Sequence, residues 1–497
     1  MRRNAMFESA ELGQRISRPE YAKEVPVLRE QLLDVQHDLR QSGKFQVIIL
    51  IGGVDGAGKS ETVKILNAWM DPRYIETNAM GAATEEELAH PSMWRFWRSL
   101  PPKGKTGIFF GSWYTEPIIS RVYRTTKDSD LDKAMERVVR FEKMLIDEGA
   151  LILKFWLHLS KEVQKKRLEK LEKNPETRWR VTEIEWNHFK LYDKFRKISE
   201  RALFQTSTPE APWIIVEGTN APYRYLTIGR TIHEALRKKL NGQAQNVGGP
   251  KAAALPPIKD KFQLTSLNFS QEMTKKEYDT KLEKYQRKLN MLVRSQKFNS
   301  MSAILVFEGS DAAGKGGGIR RVTGAIDPRS YRIIPIAAPT EEEKHHPFLW
   351  RFWRHIPRTG NFTIFDRSWY GRVLVERVEG FCSQDDWSRA YSEINDFEEQ
   401  LTERGSVVIK FWLSISKDEQ LRRFKEREVT GFKRFKITEE DWRNRKKWNQ
   451  YEVAIGEMID RTSTEIAPWT VVEANNKYYA RIKILKEICS RIESVIK

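Results

Sequence analysis

A chain of 497 residues with 40% hydrophobic and 11% aromatic content has material for two cores of about 230 residues each, which excludes a disordered or fibrous protein. Its two cysteines, Cys382 and Cys489, suit a reducing compartment and offer no metal-site spacing, and no apolar run approaches the ~20 residues of a membrane span. The formal net charge of +18 predicts a positive field that recruits polyanions: nucleic acid, anionic lipid or a phosphate chain.

In chain order, Arg2 and Arg3 are followed by Asn4, Glu8 and Glu11 instead of an apolar stretch, so no secretory signal is expected and the cytoplasm is the default. Residues 21–39 carry Val25, Leu28, Leu32, Val35 and Leu39 close to a helical period, which predicts an amphipathic packing helix. The β-rich run 47–51 then leads into Gly53-Val54-Asp55-Gly56-Ala57-Gly58-Lys59-Ser60. Runs 106–110, 151–157 and 213–216 read as further buried strands, and helical patterns between them predict parallel strands with covering helices. Residues 241–260, with Gly242, Gly248, Gly249, Pro250, Pro256 and Pro257, have linker composition and divide the chain into domains 1–240 and 261–497. The series then restarts with a helix at 278–292 and strands at 303–307, 363–365, 407–413 and 469–472.

The restart is a repeat. A constant offset of 256 (309 less 53) carries Gly53 onto Gly309, Asp71-Pro72-Arg73 onto Asp327-Pro328-Arg329, and Lys154-Phe155-Trp156 onto Lys410-Phe411-Trp412, with no insertion. It still holds at Ala211-Pro212-Trp213 and Ala467-Pro468-Trp469, which identifies a tandem duplication of one α/β domain.

A strand that ends in Gly-x-x-x-x-Gly-Lys turns backbone N–H groups inward and adds the positive start of a helix and a mobile lysine charge, a set that holds phosphate. Gly309, Gly314 and Lys315 supply it in the second copy, but Gly316 stands where the first copy has Ser60. The hydroxyl that ordinarily holds the metal in nucleotide hydrolases is thus missing, and Asp311 is the expected replacement. At the end of the next strand the second copy reads Phe365-Asp366-Arg367-Ser368-Trp369-Tyr370 and the first Phe109-Phe110-Gly111-Ser112-Trp113-Tyr114. Asp366 stands where such folds place an acid for Mg²⁺, and Arg367, like Lys315, can neutralise a transferring phosphoryl group. With an aromatic and a glycine in their place, the first copy is expected to be catalytically degenerate.

Farther on, Arg423 and Arg427 fall on one helical face, followed by Lys433-Arg434-Phe435-Lys436, Trp442-Arg443 and Arg445-Lys446-Lys447-Trp448. Such a segment is either a solvated basic face over core tryptophans or a lid that closes over phosphates and excludes water. Leu171 and Glu116 stand in the first copy where the second has Arg427 and Arg372.

Glu308-Gly-Ser-Asp-Ala-Ala-Gly-Lys-Gly-Gly317, Phe365-Asp-Arg-Ser-Trp-Tyr-Gly-Arg372 and Arg461-Thr-Ser-Thr-Glu-Ile-Ala-Pro-Trp469 resemble the polyphosphate kinase 2 family, and the resemblance covers both copies. It implies a P-loop kinase fold in each domain, a parallel sheet flanked by helices with a helical lid. It also implies transfer of the terminal phosphoryl group of inorganic polyphosphate to a nucleotide, with Mg²⁺ as cofactor. A two-copy chain resembles the fused-domain subgroup that makes ADP from AMP. Asp311, Lys315, Asp366, Arg367 and Arg427 are the functional positions so implied, Asp311 and Asp366 on the metal. Gly309, Gly314, Gly316, Arg372 and Arg423 join Lys315 as phosphate-binding candidates. Two enzyme readings stay open beside this one: an ATP-dependent nucleoside monophosphate kinase, and a polyphosphate kinase for nucleoside diphosphates. Basic residues gathered near a lid, with no reader motif, argue against nucleic acid as the partner. The first copy is expected to be a scaffold, with polyphosphate docking there and a homo-oligomer through the duplicated domains left open.

Overall fold

Val47, Ile49 and Ile51 point to one face of strand β1 (Val47–Gly53), Ile48 and Leu50 to the other, and all five are buried. A strand buried on both faces belongs at the centre of a parallel sheet covered by helices. The computed structural model, which describes residues 6–242, 255, 258, 262, 264–403, 405–430 and 437–496, has that arrangement twice. One compact unit comprises Met1–Ala83, Arg95–Gly248 and Thr340–Phe348, the other Thr84–Trp94, Gly249–Pro339 and Leu349–Lys497.

The first unit adds β2 (Ile75–Ala79), β3 (Thr106–Phe110), β4 (Leu151–His158) and β5 (Trp213–Glu217) in the order β2-β3-β1-β4-β5, all parallel. The second unit has β6 (Ser302–Gly309), β7 (Tyr331–Pro335), β8 (Phe362–Asp366), β9 (Ser406–Ser414) and β10 (Trp469–Glu473) in the equivalent order β7-β8-β6-β9-β10, again all parallel. Every strand read from the sequence is present. β2 and β7 escaped that reading because they bury so little: Ile75 is the one buried residue of β2 and β7 has none, whereas the other edge strands, β5 and β10, bury three and two.

Helix ends follow their caps. The first predicted helix runs over Arg18–Ser42, opened by the Ser17 hydroxyl accepting from the Glu20 N–H and closed by Gly43 at φ 56°. Its counterpart, Lys275–Val293, starts with a reciprocal Thr274–Glu277 capping box. In the first unit Leu32, Leu66 and Ile232, from three helices, cover the Val47-Ile49-Ile51 face of β1. Leu289, Val322 and Ile488 do the same for Ala303, Leu305 and Phe307 in the second. Among the described residues no helix is long and apolar enough to cross a membrane.

Each unit also encloses a buried ion pair. Lys410 Nζ donates to Glu398 (2.7 Å), to the Tyr370 hydroxyl (2.8 Å) and to the Thr462 carbonyl (2.7 Å), and Glu398 also accepts from the Trp369 indole at 3.1 Å. Lys154, Glu142, Tyr114, Thr206 and Trp113 repeat the cluster in the first unit. All three ammonium protons are used, which lets the charge stay buried and pins the Ser-Trp-Tyr segment that follows β3 and β8. In this strand order the chain leaves the central strand and its β3 or β8 neighbour in ways that open a crevice at their carboxyl ends.

Candidate active site

The phosphate loop of the second unit is shaped by two glycines. Gly309 has φ 150°, and a Cβ there would lie 2.4 Å from the Leu413 carbonyl oxygen, so only glycine lets β6 turn away alongside β9. Gly314, at φ 108°, caps the helix Lys315–Thr323. Lys315 arches back to donate to the Gly309 carbonyl at 2.7 Å, which keeps its ammonium over the loop. Ala312 sits at φ 63° where the first unit has Gly56 at φ 77°, a left-handed conformation that costs a non-glycine residue about 1–2 kcal/mol.

Strand β8 delivers the acid and the arginine. Asp366 lies opposite Phe307 in the register of β6, and the Arg367 N–H donates to the Phe307 carbonyl at 3.0 Å. Arg367 is also left-handed, at φ 65°. Its guanidinium lies 3.6 Å from Asp311 and 3.7 Å from Glu440. Burial disfavours its charge, but Asp311, Glu440, Glu308 and Asp366 around it raise its pKa above the ordinary arginine value. Asp311 accepts from the Asn444 amide at 2.9 Å, a link from the loop to the helix Glu439–Lys446. Asp366 is half-buried, and its carboxylate has no hydrogen bond or ion pair among the described residues.

Four other candidates have different surroundings. Arg423 is buried and donates from Nε to Glu419 (2.6 Å), from Nη1 to the carbonyls of Ala312 and Ala313, and from Nη2 to those of Ala474 and Asn475. All five of its N–H donors are engaged, so it clamps the back of the loop and has none left for a phosphate. Arg372 pairs with Glu376 at 2.8 Å. Gly316 faces open space, so no neighbour forbids a hydroxyl there. Arg427 is half-buried near the end of the helix Lys417–Val429, within electrostatic reach of Asp441. Residues 433–436 and most of the linker 241–260 lie outside the described residues.

A cavity of about 280 Å³ opens beside the loop, lined by Gly309, Asp311 and Arg367 among the candidates. It is also lined by Glu308, Trp412, Glu440 and Asn444, which sequence reasoning did not single out. Glu308 accepts from the Ser368 hydroxyl at 2.8 Å, and burial pushes its carboxyl up while Lys315, Ser368 and Arg367 pull it back. The offset comparison held the signal, since Glu308 stands against Gly52 and Asn444 against His188.

Among the described residues no three His, Cys, Asp or Glu side chains converge to cage a metal ion. The unpaired Asp366 carboxylate, with Asp311 nearby, suits an ion that arrives with substrate phosphates: Mg²⁺ takes one or two carboxylates and completes its shell with phosphate oxygens and water.

In the first unit the same frame is wired inward. Lys59 donates to the carbonyls of Gly53 (2.8 Å) and Val54 (3.1 Å) and to Asp55 (3.3 Å), and His188 meets the other Asp55 oxygen at 2.8 Å. Burial works to raise the Asp55 pKa, but Lys59 and His188 hold it well below the usual carboxylate range. His188 is raised in turn, first by its hydrogen bond to Asp55.

Sheet order, phosphate loop and helical lid put each unit in the class of P-loop kinases. The sequence profile of Polyphosphate kinase 2 (PPK2) matches residues 15–244 and 272–497, and the chain belongs to that family. It is 55% identical to a polyphosphate:AMP phosphotransferase of Pseudomonas aeruginosa over 99% of both chains. It is 36% identical to a polyphosphate:AMP phosphotransferase of Acinetobacter johnsonii over 93% of this chain and 95% of that one. The crystal structure of a polyphosphate kinase 2 from Pseudomonas aeruginosa superposes with a TM-score of 0.89 at 53% identity, covering 99% of each chain.

Proposed function

We propose that the second unit transfers the terminal phosphoryl group of inorganic polyphosphate to AMP, giving ADP and a polyphosphate one residue shorter. The observation that carries this reading is where basic residues stand around the loop and lid, since the two units differ little in net charge. Arg367, Arg372, Arg427, Arg443, Arg445 and Lys447 occur only in the second, against Gly111, Glu116, Leu171, Asn187, Phe189 and Leu191 in the first. A donor made of consecutive phosphates needs such a field; a single nucleotide does not. The family membership and the names of the full-length relatives support the choice of donor and acceptor.

The acceptor oxygen of AMP is already anionic at neutral pH, so in-line positioning and charge neutralisation matter more than a general base. Lys315 and the loop N–H groups hold donor phosphates, and Arg367 and Arg427 face the transferring group. Asp311 and Asp366 are the residues that would hold Mg²⁺, whose chemistry is to neutralise phosphate oxygens. Arg423 fixes the loop from behind. Both cysteines are free thiols, which supports a reducing, cytoplasmic setting.

The test is ADP formation from AMP with polyphosphate or ATP as donor, for wild type, Lys315→Ala and Asp366→Asn. Product from polyphosphate only, lowered by about 100-fold or more in both variants, is expected. Product from ATP only would make the chain a conventional monophosphate kinase, and full activity in Asp366→Asn would remove that residue from the metal.

A further inference from the structure

The first unit lacks the arginines that stand in the second at positions 367, 372 and 427 but keeps a complete phosphate loop. Its loop is complete in sequence, from Gly53 to Lys59 and Ser60, and Gly53, Gly56 and Gly58 take positive φ values of 137°, 77° and 91°. Lys59 stands over it. A second cation lies against it: Arg224 is 1% exposed, and its guanidinium packs so closely on Gly58 that an added Cβ would be 2.3 Å from Cζ. Arg224 uses Nε on Thr62 and Nη1 on the Gly218 carbonyl, while Nη2 has no hydrogen bond among the described residues. The second unit has Ala480 at that place.

Beside this loop lies a cavity of about 490 Å³, against about 280 Å³ in the second unit. Ile119, Val122, Tyr123, Leu191 and Phe195 line it together with the loop residues Asp55 and Lys59, and Tyr123 and Leu191 stand where the second unit has Glu379 and Lys447. A buried donor lies in that wall, as its counterpart Trp412 does in the second unit's. Trp156 is 4% exposed, lines the cavity, and its indole N–H has no partner among the described residues. Such a group costs free energy unless a ligand acceptor meets it. A mostly apolar cleft of this size with a few convergent polar groups is the usual form of a small-molecule site.

We propose that the first unit is a non-catalytic nucleotide site. It takes a nucleoside mono- or diphosphate with the phosphate on the 53–60 loop, under Lys59, and the base in the mostly apolar cavity, while Arg224 braces the loop from within the fold. The flat base is what the cavity selects, and inorganic polyphosphate has no group that prefers Ile119, Val122 and Phe195 to water. Transfer does not follow binding, because Phe110 and Gly111 replace the acid and the arginine. His188 ties the helix Glu183–Lys190 to Asp55, so the lid helix and the loop ligand site are one structure.

The test is calorimetric titration of the full-length chain with AMP, ADP and inorganic polyphosphate as separate probes. Two nucleotides per wild-type chain are expected, and one in Lys59→Ala and in Ile119→Trp, which plugs the cavity without touching the loop. Trp156→Phe, which removes the N–H together with part of the indole ring, should weaken the first-unit nucleotide about fivefold to tenfold and leave the second-unit nucleotide unchanged. One nucleotide per wild-type chain would overturn the proposal, as would two in Lys59→Ala. Displacement of the Lys59-dependent nucleotide by polyphosphate would also overturn it, making the loop a docking point for the donor. The readout is binding, so the result stands whatever donor the second unit proves to use.

Discussion

Replacing Arg423 by alanine would leave the carbonyls of Ala312, Ala313, Ala474 and Asn475 without their shared donor, and Glu419 with Arg422 as its remaining partner. The Arg423 side chain is 4% exposed and that of Glu419 13%, so water reaches them poorly. Removing one partner of a buried charged pair costs about 3–5 kcal/mol, and in a unit of this size 1 kcal/mol moves the melting midpoint by about 2–4 °C. Arg423→Ala should therefore lower the second unit's transition by roughly 6–20 °C, with activity falling as the loop loosens. Arg423→Lys should recover less than half of the loss, because one ammonium cannot span carbonyls on two separate segments. Arg427→Ala, one helical turn away, should leave the midpoint within about 2 °C and lower transfer about 100-fold. Scanning calorimetry that resolves the two units, with ADP formation assayed well below the transition, separates these cases. An Arg423→Ala protein that melts like wild type but no longer transfers would refute the reasoning and put its guanidinium on the substrate.

The buried Lys154 and Lys410 clusters predict that Lys154→Ala and Lys410→Ala destabilise their own units by about 3–5 kcal/mol each, measured by the same calorimetry. Gly316→Ser should fold with unchanged or slightly higher stability, since the position faces open space and glycine is a poor helix former. Its donor preference should stay with polyphosphate, and a gain of ATP use in that variant would show that the absent hydroxyl selects the donor. The raised pKa of His188 means that its pair with Asp55 contributes fully below the unfolded histidine value and is lost as pH rises through the folded one. Both side chains are more than a third exposed, so the contribution is about 0.5 kcal/mol. A slight fall in the first unit's melting midpoint from about pH 6 to pH 8, flattened by His188→Asn, is the expected result.

Central strands, loops and duplication were legible because each leaves a local mark: the run 47–51 is buried on both faces, and the offset of 256 needs no alignment. β2 and β7 were not, because together they bury a single side chain, Ile75, and so leave little pattern to find. Asp366 and Arg367 stood out only against Phe110 and Gly111, and the same comparison at Glu308 and Gly52 would have added a further site residue. Arg423 and Arg427 are alike in sequence, one turn apart on a basic helix. What separates them is the set of carbonyls behind the loop, and those carbonyls come from β10's end and from the loop itself, segments far away along the chain.

Arg367 and Gly111 share a left-handed backbone, at φ 65° and 79°, but not the same freedom to change. A Cβ on Gly111 would sit 2.3 Å from the Met80 carbonyl oxygen, so the first unit cannot regain its arginine by a single substitution. The edge strand would have to move first, and nothing rewards that movement until the arginine is there. Loss of the first centre therefore works as an evolutionary ratchet, turned by one backbone atom. An engineer who wants two working centres in one chain would have to transplant the end of β2 together with the turn after β3, as a piece of backbone.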